Sequence, residues 1–385
     1  MRVNPGGEIP SSEVVGRDAL IASLWEVLQG QSVVLTAERR MGKTTLIKKM
    51  RNEAPQGKLA IYRDLEGIHS SLEFAESVFH DVDRYLSTGR RASTKARQLA
   101  SQLGGTELGG VLKLPQAAGA HWKTLLTQVL EDLAEHRERS VILLWDELPM
   151  MLHNIREREG EERAKEMLDT LRSIRQMYSA IRMVFTGSIG LHNVLTALKR
   201  TGYANDPTND MKIVDVPPLA PVDARMLAVQ LLDSAGIGAD DREKTAERIA
   251  AAVDGMPFFI HLIVSSLKEQ GKAASCSQID QMIDSALADP HDPWDFYHYR
   301  DRINTYYSEE ELPMALQVLD VIAGARTPLV LQDVFHRVGE STGTERLRDL
   351  LTQLQRDHYI ARDAQGSYRF RFPIIQRWWR FERGL

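Results

Sequence analysis

Ser32 to Met50 reads SVVLTAERRMGKTTLIKKM, and this stretch decides the fold. The β-branched apolar run places a short strand over residues 31–36. A turn containing Gly42 follows, and Thr44 to Arg51 has the spacing of a helix start. Strand, turn and helix in that order are the context of a phosphate-binding loop, Gly-x4-Gly-Lys-[Ser/Thr]. Ala37, Glu38, Arg39, Arg40, Met41, Gly42, Lys43 and Thr44 match every fixed position except the first, where alanine replaces glycine. The chemistry of such a loop tolerates that exchange. Backbone N–H groups at a helix N-terminus wrap the phosphates. Gly42 lets the backbone approach, Lys43 reaches the β and γ oxygens, and Thr44 offers its hydroxyl to Mg2+. Ala37 has only to leave the strand in a turn that needs no positive φ.

A lone Gly-Lys-Thr is common, so the reading needs a second motif. Val141-Ile142-Leu143-Leu144-Trp145-Asp146-Glu147 supplies it, an apolar strand ending in two acids. Asp146 beside the phosphate loop suits the Mg2+ shell, and Glu147 suits polarisation of an attacking water. Further strands are expected over 58–64, 140–145, 181–186 and 211–216, alternating with helical pattern, hence a parallel sheet flanked by helices. Thr186-Gly187-Ser188 ends one of them. Ser188 there is equally a sensor beside a γ-phosphate and a helix N-cap.

Working outward, the expected organisation is an N-terminal linker and helix over residues 1–30 and an α/β nucleotide domain over 31–216. The latter carries an insertion near 87–119 with a small hairpin in LGGTELGGVLKLP. VPPLAP, residues 216–221, then opens a helical lid over 217–290, interrupted by Asp254-Gly255-Met256-Pro257. Residues 296–385 show three short helices, with Leu316, Leu319, Val321 and Ile322, then Leu331, Val334, Phe335 and Val338, then Leu347, Leu350, Leu351 and Leu354 inward. A hairpin with Gly366 at its turn follows, and Tyr368, Phe370 and Phe372 share one of its faces. That sequence of elements is a winged helix-turn-helix.

The 385 residues carry a formal charge of −5, which excludes a globally basic nucleic-acid binder. The charge is unevenly spread, however. No lysine follows Lys272, and from Arg356 to the end seven arginines face three acids. Arg346, Arg348 and Arg356 on the last helix of the trio, with Arg369 and Arg371 on the hairpin, are the candidate contacts to double-stranded DNA. The competing reading packs this region against a protein, with Trp378, Trp379 and Phe381 in the contact. One cysteine, Cys276, excludes an internal disulfide framework and a cysteine metal cluster. No apolar run approaches a membrane span and the N-terminus lacks the apolar core of a signal peptide, so a cytoplasmic protein without membrane contact is expected.

With VVGRD (14–18), the RRMGKT loop (39–44), LLWDE (143–147), TGS (186–188), DGMPFFIHLI (254–263) and YRFRFPIIQRWWR (368–380) in hand, the chain resembles archaeal-type P-loop ATPases of the AAA+ and STAND group. The resemblance implies an ATPase that binds ATP and Mg2+ through Arg39, Arg40, Met41, Gly42, Lys43, Thr44 and Thr45. It further implies Asp146 as the metal carboxylate, Glu147 as catalytic base and Ser188 as first sensor. Gly16-Arg17 and Gly255-Met256-Pro257 are implied to close around the adenosine, with nucleotide between domains. Two departures stand out, Ala37 and the lack of an arginine soon after the Gly-x-Pro turn. Arg39, Arg40, or Arg172 or Arg175 of a neighbouring copy in a homo-oligomer are the alternatives for meeting transition-state charge. The partner is DNA or an effector protein. The alternatives to an active ATPase are an ATP/ADP switch with little hydrolysis and an ATP-controlled DNA-binding regulator.

Overall fold

The computed structural model describes residues 1–87, 95–108, 111–135, 140–187, 190–271, 273–339 and 343–385. The chain divides into two compact units. An α/β unit comprises Asp18–Thr36 and Lys43–Val216, and a helical unit comprises Met1–Arg17, Ala37–Gly42 and Pro217–Leu385.

In the α/β unit, β1 (Val33–Thr36), β2 (Lys58–Asp64), β5 (Ser140–Asp146), β6 (Ile181–Phe185) and β7 (Lys212–Asp215) form a parallel five-stranded sheet. Its order is β2-β5-β6-β1-β7. All five were legible as apolar runs, but only the inner ones are sealed on both faces. From Val141 to Asp146 every residue of β5 is buried, whereas β7 at the sheet edge leaves Ile213 65% exposed. In this order β6 lies between β1 and the acid-bearing β5. β3 (Thr106–Leu108) and β4 (Val111–Lys113) form the small antiparallel hairpin expected there.

Helices Ser71–Ser87, Trp122–Glu135, Leu148–Glu159 and Glu161–Met177 bury apolar faces around the sheet. Trp145 stacks on Phe185 at 6.0 Å between ring centroids and meets Phe74 edge-on at 5.1 Å. Burial of each such ring contributes about 2–3 kcal/mol, which pins the end of β5. On the helix Asp18–Gly30, Ile21, Leu24, Trp25 and Leu28 are buried, as 3.6-residue spacing demands.

The helical unit holds Pro221–Ala235, Arg242–Ala252, Pro257–Gln270 and Cys276–Ala288, then Tyr297–Tyr306, Leu312–Gly324, Leu331–Val338 and Thr344–Arg356. β8 (Ile360–Arg362) pairs antiparallel with β9 (Tyr368–Phe370), Leu329 bridges to Tyr368, and helix Pro373–Arg383 closes the chain. Proline stands in the first two positions of four of these helices, where its missing N–H costs nothing. Asp241 and Ser275 cap two others by accepting from Lys244 N–H and Gln278 N–H. Tyr368, Phe370 and Phe372 are buried as the hairpin pattern predicted. On Leu312–Gly324 the buried face is Ala315, Val318, Leu319 and Ile322, while Leu316 and Val321 are half-buried. The face is rotated from the expected one, and its positions 315, 318, 319 and 322 keep helical spacing.

Candidate nucleotide site

In the α/β unit the first feature is the start of helix Lys43–Asn52. Its first turn holds no acid and opens on Lys43, which is buried. A cation at a helix N-terminus opposes the peptide dipole, so this arrangement weakens the helix and concentrates positive potential at its mouth. It is a place for an anion.

The second feature is the end of β5. Thr44 Oγ1 donates to Asp146 Oδ2 at 2.6 Å, and Glu147 N–H donates to Asp146 Oδ1 at 3.2 Å. Asp146 is sealed, and burial raises its pKa above the carboxylate norm. The Thr44 hydroxyl opposes that rise, Asp64 adds to it, and Lys43 opposes it. Asp64 sits opposite Asp146 in the β2–β5 register. The phenol of Tyr62 is held above its ordinary pKa first by burial and then by the charge of Asp146. A hydroxyl and a desolvated carboxylate, with a second carboxylate near, form a hard-oxygen donor set that a divalent cation would relieve. Mg2+ keeps several waters and needs one or two carboxylates, so these residues fit it. Among the described residues no cluster of three or more His, Cys, Asp or Glu offers an alternative metal site.

Glu147 adopts the left-handed conformation at φ 55°, where a residue with a side chain is uncommon. It opens helix Leu148–Glu159. Strain of this kind turns the chain sharply at the end of the strand. Thr186, at the end of β6, is buried, and among the described residues its hydroxyl has no hydrogen-bond partner. Ser188 lies outside the described residues. Arg175 is committed within its own unit to Asp210 and Pro207 O.

The helical unit contains the loop Ala37–Gly42. Ala37 does not need positive φ, as expected, whereas Arg40 (φ 71°) and Gly42 (φ 84°) both take it. Left-handed residues in such a turn direct successive N–H groups inward as an anion nest. Arg17 donates to Met41 O at 2.9 Å and to Pro217 O at 2.8 Å. Burial pulls its pKa down to about 10, with Asp223 acting against that. A Cβ on Gly16 would lie 2.7 Å from Asp223 Cβ, and one on Gly255 would lie 2.6 Å from Leu219 O. Gly255 O accepts from Leu219 N–H at 3.0 Å. Residues 217–223 therefore bring the Gly16-Arg17 turn and the Gly255–Pro257 turn together, with Met41 held alongside through Arg17.

Sequence reasoning missed what holds the loop's side chains. Glu38 pairs with Arg302 at 2.6 Å, Arg40 lies 3.9 Å from the Phe258 ring centroid, and Asp295 binds Arg40 and, at 3.7 Å, Arg39. Nothing in the primary structure links residues more than 200 positions apart. Of the arginines singled out for DNA, Arg346 pairs with Glu310, Arg348 with Glu345, and Arg371 contacts His358, while Arg356 and Arg369 are exposed.

Residues 27–195 match the family described as "AAA domain". No curated protein matches the chain significantly. Among solved structures it is similar to the Walker-type ATPase of Pyrococcus abyssi, with 16% identity and a TM-score of 0.65 over 99% of this chain and 100% of that one. It is also similar to the ORC2 protein of Aeropyrum pernix in complexes with ADPNP and ADP, with 13% identity and a TM-score of 0.52 over 100% of this chain and 98% of that one. Among the described residues no helix is long and apolar enough to cross a membrane.

Proposed function

We propose that this chain, an archaeal-type P-loop ATPase by fold with an AAA segment over residues 27–195, binds ATP with Mg2+ and hydrolyses it to drive a DNA- or protein-directed change of state. The observation that carries the reading is the 2.6 Å bond from Thr44 to the desolvated Asp146, beside a helix that opens on a buried lysine and has no acid in its first turn. A chance Gly-Lys-Thr would have neither.

In this reading the N–H groups from Arg39 to Thr45 cradle the β- and γ-phosphates, and Lys43 neutralises them. Thr44 and Asp146 hold Mg2+, which supplies charge neutralisation at the transferred phosphoryl group. Glu147 takes the proton of the attacking water as the bond from the γ-phosphorus to the β-bridging oxygen breaks, releasing ADP and phosphate. Gly16, Arg17, Gly255 and Pro257 enclose the adenosine. Ser188 acts as γ-phosphate sensor by resemblance alone. The order of three helices, β8 and β9 supports a winged helix-turn-helix in residues 296–385, following a lid in 217–290.

Steady-state turnover with Mg2+, with and without duplex DNA, tests this. Wild-type turnover that is lost in Lys43→Ala and in Glu147→Gln supports hydrolysis, and absent nucleotide binding sinks the reading. A second reading, a nucleotide switch with slow turnover, is favoured by one observation, the direct grip of residues 295–302 on the phosphate loop. Tight binding with negligible, DNA-indifferent turnover would select it. DNA contact is the less favoured partner, since Arg346 and Arg348 already have acidic partners. Binding of duplex DNA that falls steeply with salt would reverse that preference.

A further inference from the structure

The loop Ala37–Gly42 and the segment from Asp292 to Tyr307 belong to one unit, and the contacts between them are ionic, buried at Glu38–Arg302 and half-exposed at Asp295. The Glu38 side chain is 0% exposed, and Arg302 donates to it at 2.6 Å. Arg302 also donates to Asp357 O at 3.2 Å, and Tyr307 donates to Asp357 Oδ2 at 2.7 Å. The guanidinium is thus fixed from two sides. Burial alone would lower its pKa, but the charge of Glu38 and those around Asp357 more than offset this, so Arg302 remains a cation.

Asp295 acts on the same loop with the opposite charge, reaching Arg40 and Arg39. Its backbone (φ 56°) and that of Asp292 (φ 45°) are both left-handed. Asp292 accepts from Phe296 N–H and Tyr297 N–H at 2.8 Å each, which holds the turn in place. A phosphate loop works by positive potential. Within three consecutive loop residues, this segment therefore neutralises one acid and two bases.

We infer that Arg302 and Asp295 are positioning residues for the phosphate loop that set its nucleotide affinity in opposite senses, Arg302 by cancelling the charge of Glu38 and Asp295 by occupying Arg39 and Arg40. The inference rests on the nucleotide reading above and deepens it. Linkage makes the effect reciprocal, so phosphate drawing Arg40 from Asp295 frees the segment that leads into residues 297–385. Stripped of Arg302, a buried carboxylate faces the incoming phosphate. Stripped of Asp295, two guanidinium groups beside it lose their counter-charge.

The test is the Kd of a fluorescent ATP analogue for the full chain with Mg2+. Wild-type binding is read first, and its absence overturns the nucleotide reading and this inference together. With wild type binding, Arg302→Met is expected to weaken affinity about tenfold. Adding Glu38→Met should restore it to within about threefold, because the stranded charge is gone. Asp295→Asn is expected to tighten binding about two- to fivefold, the range of a half-exposed ion pair. A merely structural role predicts weakening in all three. Affinity in Glu38→Met/Arg302→Met no better than in Arg302→Met overturns the inference. So does Asp295→Asn binding unchanged or weaker, and this half-exposed change keeps the test decisive if Arg302→Met does not fold.

Discussion

Asp146 and Glu38 are both carboxylates withdrawn from water, and they differ in what meets them. Glu38 faces a guanidinium of opposite charge at 2.6 Å. Asp146 faces a hydroxyl, with Asp64 close enough to add repulsion, and burial lifts its pKa although Lys43 and the Thr44 hydroxyl oppose the rise. The difference separates two uses of a buried acid. One that is already matched fixes geometry, and removing either partner strands the other. One that is left unmatched is a ligand in waiting, because a cation arriving there recovers the desolvation cost.

The comparison breaks most easily at Glu38. Glu38→Ala should lower the unfolding free energy by about 3–5 kcal/mol, the cost of a buried cation without its counter-charge. Urea denaturation of the nucleotide-free chain measures it, and a loss under 1 kcal/mol would mean that the pair is not a structural clamp. Lys43→Ala should weaken ATP binding about 100-fold, close to 3 kcal/mol, with little change in melting temperature, since Lys43 works against its own helix dipole. Isothermal titration decides this, and unchanged affinity would sever the loop from nucleotide.

Asp146→Asn sharpens the contrast. It should cut Mg-dependent turnover about 30-fold or more while leaving nucleotide-free thermal stability equal or higher, because it removes a desolvated charge and keeps an acceptor for Thr44. A marked drop in stability would place Asp146 in the same class as Glu38. The folded chain holds the Asp146 proton to higher pH than the unfolded chain does. This group therefore favours folding at low pH and opposes it as pH rises, and the substitution should flatten that slope.

The smallest effect belongs to Asp254. Burial raises its pKa to about 6, against the Ile374 N–H bond at 2.9 Å and the charge of Arg369. The unfolded value is lower, so its contribution to stability is favourable below that value and is lost as pH rises to about 6. Asp254→Asn keeps an acceptor for Ile374 and should raise the melting temperature slightly at pH 8, by the equivalent of about 1 kcal/mol. That gain should vanish near pH 4. A gain independent of pH would exclude titration of Asp254 as its source.

Five parallel strands, the loop and the acid pair were all legible in the sequence, because each is written in a few adjacent residues whose spacing dictates strand, turn or helix. Ala37 needed no glycine because its φ stays in the ordinary region, and Gly42 did need one. The insertion of β6 between β1 and β5 was not legible, since strand order is set by how crossovers pack and not by any single run. Nor were Tyr62 and Asp64, which meet Asp146 only through the β2–β5 register. The pairs Glu38–Arg302 and Arg40–Asp295 join positions far apart in the chain. A sequence can show that a charge is present, but only packing decides whether it is desolvated and what stands against it, because Coulomb energies depend on distance and local dielectric. The residues of the proposed nucleotide site were therefore determined locally, and the charges set against its loop were decided by the tertiary structure.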